Sequence, residues 1–106
     1  MPADHVVVTS TIDSEAAATR LATGAIEARL GACAQVVGPV TSVYRWEGAV
    51  KTETEWRVEI KAAARGAAAL TEFLKAEHGY ENPEIIVTPI EGGNAQYLSW
   101  LEEETR

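Results

Sequence analysis

Val50-Lys51-Thr52-Glu53-Thr54-Glu55-Trp56-Arg57-Val58-Glu59-Ile60-Lys61-Ala62 is the stretch that decides the fold. Val50, Thr52, Thr54, Trp56, Val58, Ile60 and Ala62 alternate with six charged residues, Lys51 to Lys61. A period of two held this long predicts a strand with one buried face and one charged face. It is long for a strand in a small domain. Glu47-Gly48 just before it is a hairpin signal. Ala32 to Trp46 then reads as the partner strand, bent or bulged near Gly38-Pro39.

The remaining elements fall on either side of this hairpin. Val6 to Thr11 reads as a β-branched strand, apolar on both faces. Asp13 or Ser14 caps a helix from Glu15 to Leu30, because a short side-chain oxygen accepts from the free N–H groups of a first turn. Ala18, Leu21, Ala22, Ala25 and Ile26 form its apolar stripe, and Gly31 suits the left-handed stop position. After the hairpin, Ala67, Leu70, Phe73 and Leu74 mark a second helix ending near His78-Gly79. Glu84 to Ile90 reads as a fourth strand, and Asn94 caps a short last helix presenting Leu98 and Leu101. The order βαββαβ plus a terminal helix predicts an α+β, ferredoxin-like fold with helices on one face of an antiparallel sheet. Strand four is then an edge, and its apolar run Ile85-Ile86-Val87 calls for a partner chain to cover it.

Residues 1–106 read as one domain. A chain of this length buries roughly 65% of its unfolded surface, enough for a core without covalent staples. Cys33 is the one cysteine, so no internal disulfide is possible, and a lone thiol fits a reducing, cytoplasmic compartment. The net charge of −7 argues against nucleic acid as a partner and is mildly favourable for cations. No run approaches the ~20 apolar residues of a membrane span, and Val6-Val7-Val8 is too short for a signal-peptide core. No phosphate-binding glycine loop, Ser/His/Asp set or metal-hydrolase motif is present, so no enzyme is expected.

Two segments carry a family resemblance. Thr41-Ser42-Val43-Tyr44-Arg45-Trp46-Glu47-Gly48 and His78-Gly79-Tyr80-Glu81-Asn82-Pro83-Glu84-Ile85-Ile86 resemble the "TSVYRWEG" and "HPYEVPEI" signatures of the CutA divalent-cation-tolerance proteins. Leu30 to Gln35 is similar to "LAACVN", Gly93 to Leu101 to "GNxxYLxWL", and Thr9 to Ser14 to "TTxPD". The resemblance runs in order along nearly the whole chain. It implies a homotrimer built like the nitrogen-regulatory PII proteins, with clefts between subunits, and a role in tolerance of copper and other divalent cations. Gly79 departs from the usual proline, which loosens the loop, and Asn82 replaces an apolar residue. Ser10 stands where some members have a cysteine taken as a copper ligand, and Glu77-His78 stands where they have two histidines.

The candidate metal ligands are accordingly His78, Glu77 and Cys33. No cofactor is obligatory, and copper or another divalent metal is the expected ligand. Cys33 has two readings, a small core residue or a soft donor for Cu(I). His78 also has two, a helix-end cap or a ligand with nearby carboxylates. Trp46 at the hairpin tip reads as an interface residue of the intersubunit cleft, since exposed aromatics mark contacts. The resemblance places Lys61, Tyr80 and Glu84 at the same cleft, and Gly48 and Pro83 are read as structural. Lys51 to Glu59 is expected to be a solvated charged face. Two functions follow. One is weak divalent-metal binding at the cleft of a trimer. The other is a PII-like signalling or scaffolding trimer that takes a small anion or a partner peptide, with Lys61 supplying positive charge.

Overall fold

The alternating segment becomes β3 (Ala49–Ala63) and pairs antiparallel with β2 (Cys33–Trp46). The computed structural model describes residues 3–106. The other elements are β1 (His5–Ile12), α1 (Glu15–Glu27), α2 (Ala67–Glu77), β4 (Ile85–Ile90) and α3 (Ala95–Glu104). The four strands lie in the order β2-β3-β1-β4, each neighbouring pair antiparallel. This is the ferredoxin-like order, as the element sequence predicts. Among the described residues, no helix is long and apolar enough to cross a membrane.

The core lies between the sheet and the first two helices. Val6, Val8, Ser10 and Ile12 turn inward from β1, and Val58, Ile60 and Ala62 from β3. They meet Ala18, Leu21 and Ala25 of α1 and Leu70 and Leu74 of α2. Ser14 caps α1, its hydroxyl accepting from the Ala17 amide at 3.0 Å. Asn94 does the same for α3 through the Gln96 amide. Each satisfies an amide that the helix itself leaves unpaired.

The exit of α1 departs from expectation. Arg29, not Gly31, takes the left-handed conformation, with φ 61°. Its guanidinium donates to the carbonyls of Arg106 and Glu103, fastening the end of α3 beside the end of α1. Gly31 answers a different need. A Cβ there would lie 2.3 Å from Ile60 Cγ2, so only glycine lets the chain pass this close to the sheet.

The hairpin is longer than the sheet. β1 ends where Ile12 faces Trp56, so Ala49 to Glu55 pairs only with β2. The outer half is a two-stranded arm, and the molecule measures 44 × 28 × 22 Å. The register slips between Val37 and Val40, at the cis Gly38-Pro39 bond. At the tip, Glu47 and Gly48 both have positive φ, 48° and 80°. That is the twist a two-residue hairpin turn requires, and it gives Gly48 its structural role.

The period-two pattern overstates the buried face. From Trp56 inward it holds, but Val50 on the arm is 64% exposed and Val43, diagonal to it on β2, is 66% exposed. No helix lies over the arm to receive them. On β4, Ile85 joins the core while Ile86 is 53% exposed at the sheet edge.

An acidic, aromatic cleft between the arm and the loop after the second helix

The loop from His78 to Glu84 is fastened to the sheet at two points. His78 Nε2 lies 2.7 Å from the Thr11 carbonyl, and Nδ1 is 3.1 Å from the Tyr80 amide. A carbonyl accepts only and an amide donates only. The imidazole therefore donates from Nε2 and accepts at Nδ1, as a neutral ring. At the far end, the Ser10 hydroxyl donates to the Glu84 carbonyl at 2.7 Å.

This anchoring turns Tyr80 toward the arm, where its hydroxyl donates to Glu55 Oε2 at 2.7 Å. One step outward, the Tyr44 hydroxyl donates to Glu53 Oε1, also at 2.7 Å. Between arm and loop lies a cavity of about 680 Å³. Asp13 and Thr11 close one end, Tyr44, Trp46, Glu53 and Glu55 form one wall, and Tyr80 to Glu84 form the other. Five carboxylates (Asp13, Glu53, Glu55, Glu81, Glu84) line it against a single cation, Arg45.

The local field acts on both phenols. Burial, then the hydrogen bond to Glu55, pushes the Tyr80 hydroxyl far above its usual 10. The bond to Glu53 raises Tyr44, with a smaller contribution from burial. A raised phenol contributes stability that is present below pH 10 and lost as pH climbs through the folded value. In an absorbance titration the folded protein is therefore expected to ionise its tyrosines later than the urea-unfolded chain. Tyr80→Phe should remove the latest step, and coincident curves would rule out the Tyr80–Glu55 bond.

The structure brings together Trp46, Tyr80, Glu84 and Pro83 in one cleft. It separates Lys61 from them. Lys61 pairs with Cys33 and Val7 at the opposite end of β3 from the tip, and its ammonium donates to Gln35 Oε1 at 2.9 Å. The three expected metal ligands are also dispersed. His78 is buried beneath the loop with both nitrogens engaged, so it has no lone pair left for a metal. Glu77 is exposed on the last turn of α2. Cys33 lies two strands from β1, level with Val7 rather than Thr11. Among the described residues, no three His, Cys, Asp or Glu side chains are grouped to hold a metal ion. Ser10 is fully buried and braces the loop, so this position does not face a surface site.

The expected solvated face also changes. Arg57 and Glu59 do form an ion pair at 3.2 Å, but Glu55 is only 7% exposed beneath Tyr80. Tyr44, Glu53, Glu55 and Asp13 were not expected in the cleft. Part of this was available from the turn. Ser42 faces Glu53 and Tyr44 faces Lys51, so Tyr44 and Glu53 are diagonal neighbours on one face.

Fold and cleft together define a ferredoxin-like α+β protein with an acidic, aromatic recess at its hairpin arm. The chain belongs to the CutA1 divalent ion tolerance protein family, whose pattern it matches over residues 6–104. It is 45% identical over 101 residues to the chloroplastic CutA 1 protein of Oryza sativa subsp. japonica, covering 95% of this chain and 57% of that one. The chain thus spans little more than half of that plant relative. It is 41% identical over 99 residues to the divalent-cation tolerance protein CutA of Thermus thermophilus, covering 93% of this chain and 96% of that one. The crystal structure of CutA1 from Oryza sativa superimposes with a TM-score of 0.94 at 43% identity, covering 99% of this chain and 96% of that one. For CutA from Xylella fastidiosa the TM-score is 0.95 at 30% identity, covering 98% and 100%.

Proposed function

We propose that this chain works as a cytoplasmic homotrimer that binds divalent cations weakly at the acidic cleft, without catalysing a reaction. The observation that carries this reading is the charge of the cleft, five carboxylates against Arg45, in a chain of the divalent ion tolerance family. Oxygen donors favour hard cations over Cu(I), so copper is one ion among several rather than a selected one. With no grouped donor set among the described residues, binding is micromolar or weaker. A lone, half-buried thiol, Cys33, fits a reducing compartment. The PII-like reading with a small anion is the less favoured one within a single chain, because Lys61 lies away from this cleft and five carboxylates face only Arg45.

Assembly is supported by apolar surface without a partner in the single chain. A two-stranded ribbon is marginal alone in water, yet the arm presents Val43 and Val50 to solvent. Exposed aliphatic groups of this kind mark contacts.

Titration calorimetry with Mn(II), Zn(II) and Cu(II) tests the metal reading. Wild type is expected to bind at micromolar strength or weaker, and Glu55→Gln to bind several-fold more weakly still. Nanomolar copper binding that persists in Glu55→Gln and disappears in Cys33→Ser would move the site to the thiol and overturn this assignment.

A further inference from the structure

The hydrogen-bond polarity of the cleft says more about its ligand than charge alone. Tyr80 donates its hydroxyl proton to Glu55, and Tyr44 donates its own to Glu53. What the two pairs still offer is carboxylate oxygens and phenol lone pairs, all acceptors. Glu55 is the sharpest case. It is 7% exposed, one oxygen is held by Tyr80, and Oε1 has no protein partner while not being sealed from solvent. Oε1 is thus an acceptor that reaches solvent and is free to take a ligand's donor. Three aromatic rings, Tyr44, Trp46 and Tyr80, stand beside these acceptors. Trp46 and Tyr44 are 38% and 39% exposed, so their rings are open to a ligand.

We propose that this cleft takes a small organic cation, a primary ammonium or guanidinium compound, in addition to the metal ions considered above. Such a group brings positive charge and N–H donors to a recess where five carboxylates face a single guanidinium, Arg45. Its alkyl or planar surface packs on the rings, where a cation is attracted to the π face. A bare metal ion needs several ligands converging on one point, which the described residues do not supply. An elongated cation needs only acceptors spread along a recess. The cavity of about 680 Å³ is of the size that holds small-molecule ligands. The inference rests on the reading of the cleft as a cation site.

Agmatine, with a guanidinium at one end and an ammonium at the other, is the probe. It is titrated into the assembled protein while tryptophan fluorescence and calorimetric heat are followed. Tetramethylammonium, a cation without donors, and Mn(II) are run in parallel. Agmatine is expected to bind at least tenfold more tightly than tetramethylammonium. Its affinity should fall at least tenfold in Glu55→Gln and again in Glu53→Gln, and be unchanged in Glu72→Gln, an exposed carboxylate on α2 away from the cleft. Trp46→Phe should abolish the fluorescence change while leaving heat of binding. No agmatine binding at millimolar concentration overturns the proposal, and a Mn(II) response in the same sample leaves the metal reading standing. Agmatine binding equal in wild type, Glu55→Gln and Glu53→Gln also overturns it, since the cation would then sit elsewhere. Agmatine binding without any metal response supports this proposal and removes the metal reading instead.

Discussion

Ile60→Ala is expected to lower the unfolding free energy by about 2–5 kcal/mol, the range for emptying a fully buried aliphatic site. Ile60 has no exposed surface and sits at the centre of the sheet, between Val8 on β1 and Ala34 on β2. Its Cγ2 lies against the backbone of Gly31, which has no side chain to swing into the gap. Neighbouring Val8, Leu70 and Leu74 are equally sealed. The site therefore collapses poorly, and poor collapse puts the cost toward the upper end. Domains of this kind hold about 5–15 kcal/mol in total, so one substitution removes a large share. Urea unfolding at fixed protein concentration reads the loss directly. Val50→Ala, on the exposed arm of the same strand, is the comparison and should stay within about 0.5 kcal/mol where no neighbour covers it. A loss under 1 kcal/mol at Ile60 would mean that the sheet and helices close over the cavity.

Ile86→Lys is expected to convert the proposed trimer to single chains at micromolar concentration. β4 is an edge strand whose outer groups lack a partner strand, and Ile86 is exposed on it at 53%. A lysine on such an edge must lose its hydration before another strand can approach, which is how natural sheets discourage pairing. The position contributes little to the isolated chain, because Ile85 rather than Ile86 enters the core. Light scattering coupled to gel filtration gives the mass. A wild-type protein that is already one chain would end the trimer reading. A variant that remains a trimer would place the contact on the arm, around Val43 and Val50, instead of on β4.

The order of elements is legible in the sequence because each has a local physical signature. Ser14 and Asn94 stand before helices as side-chain acceptors, Glu47-Gly48 supplies two positive φ angles, and β3 keeps its period from Trp56 to Ala62. The topology follows because βαββαβ has few antiparallel solutions. The cleft is only partly legible. Trp46, Tyr80, Pro83 and Glu84 line one recess within a single chain, while Lys61 lies apart from them. Strand length decides this, since Lys61 and the tip occupy opposite ends of β3. Glu55 was indistinguishable from Lys51, Glu53 and Glu59 in a charged alternation. It is buried because Tyr80, 25 residues away in sequence, reaches over it. His78 was misleading for a related reason. Its value as a ligand depends on free lone pairs, and the Thr11 carbonyl and Tyr80 amide that occupy its ring come from outside its helix. Gly31 shows the same limit on a smaller scale, being fixed by Ile60 across the core rather than by the helix before it.

The position of β1 bears on how the chain reaches this structure. β2 and β3 are joined by a two-residue turn, so their pairing runs from Trp46 and Ala49 to Cys33 and Lys61 with no long loop to close. β1 has no such starting point. Its nearest partner along the chain is Trp56, opposite Ile12, and its other edge waits for Ile85 to Ile90. Joining distant segments costs loop entropy that grows by about 0.6 kcal/mol with each doubling of length, before any contact rewards it. During synthesis β1 emerges before the other three strands, and it lacks its second neighbour until β4 has been made. A central strand of the sheet is thus the strand that waits longest for its partners, and chaperones would meet it before the other strands.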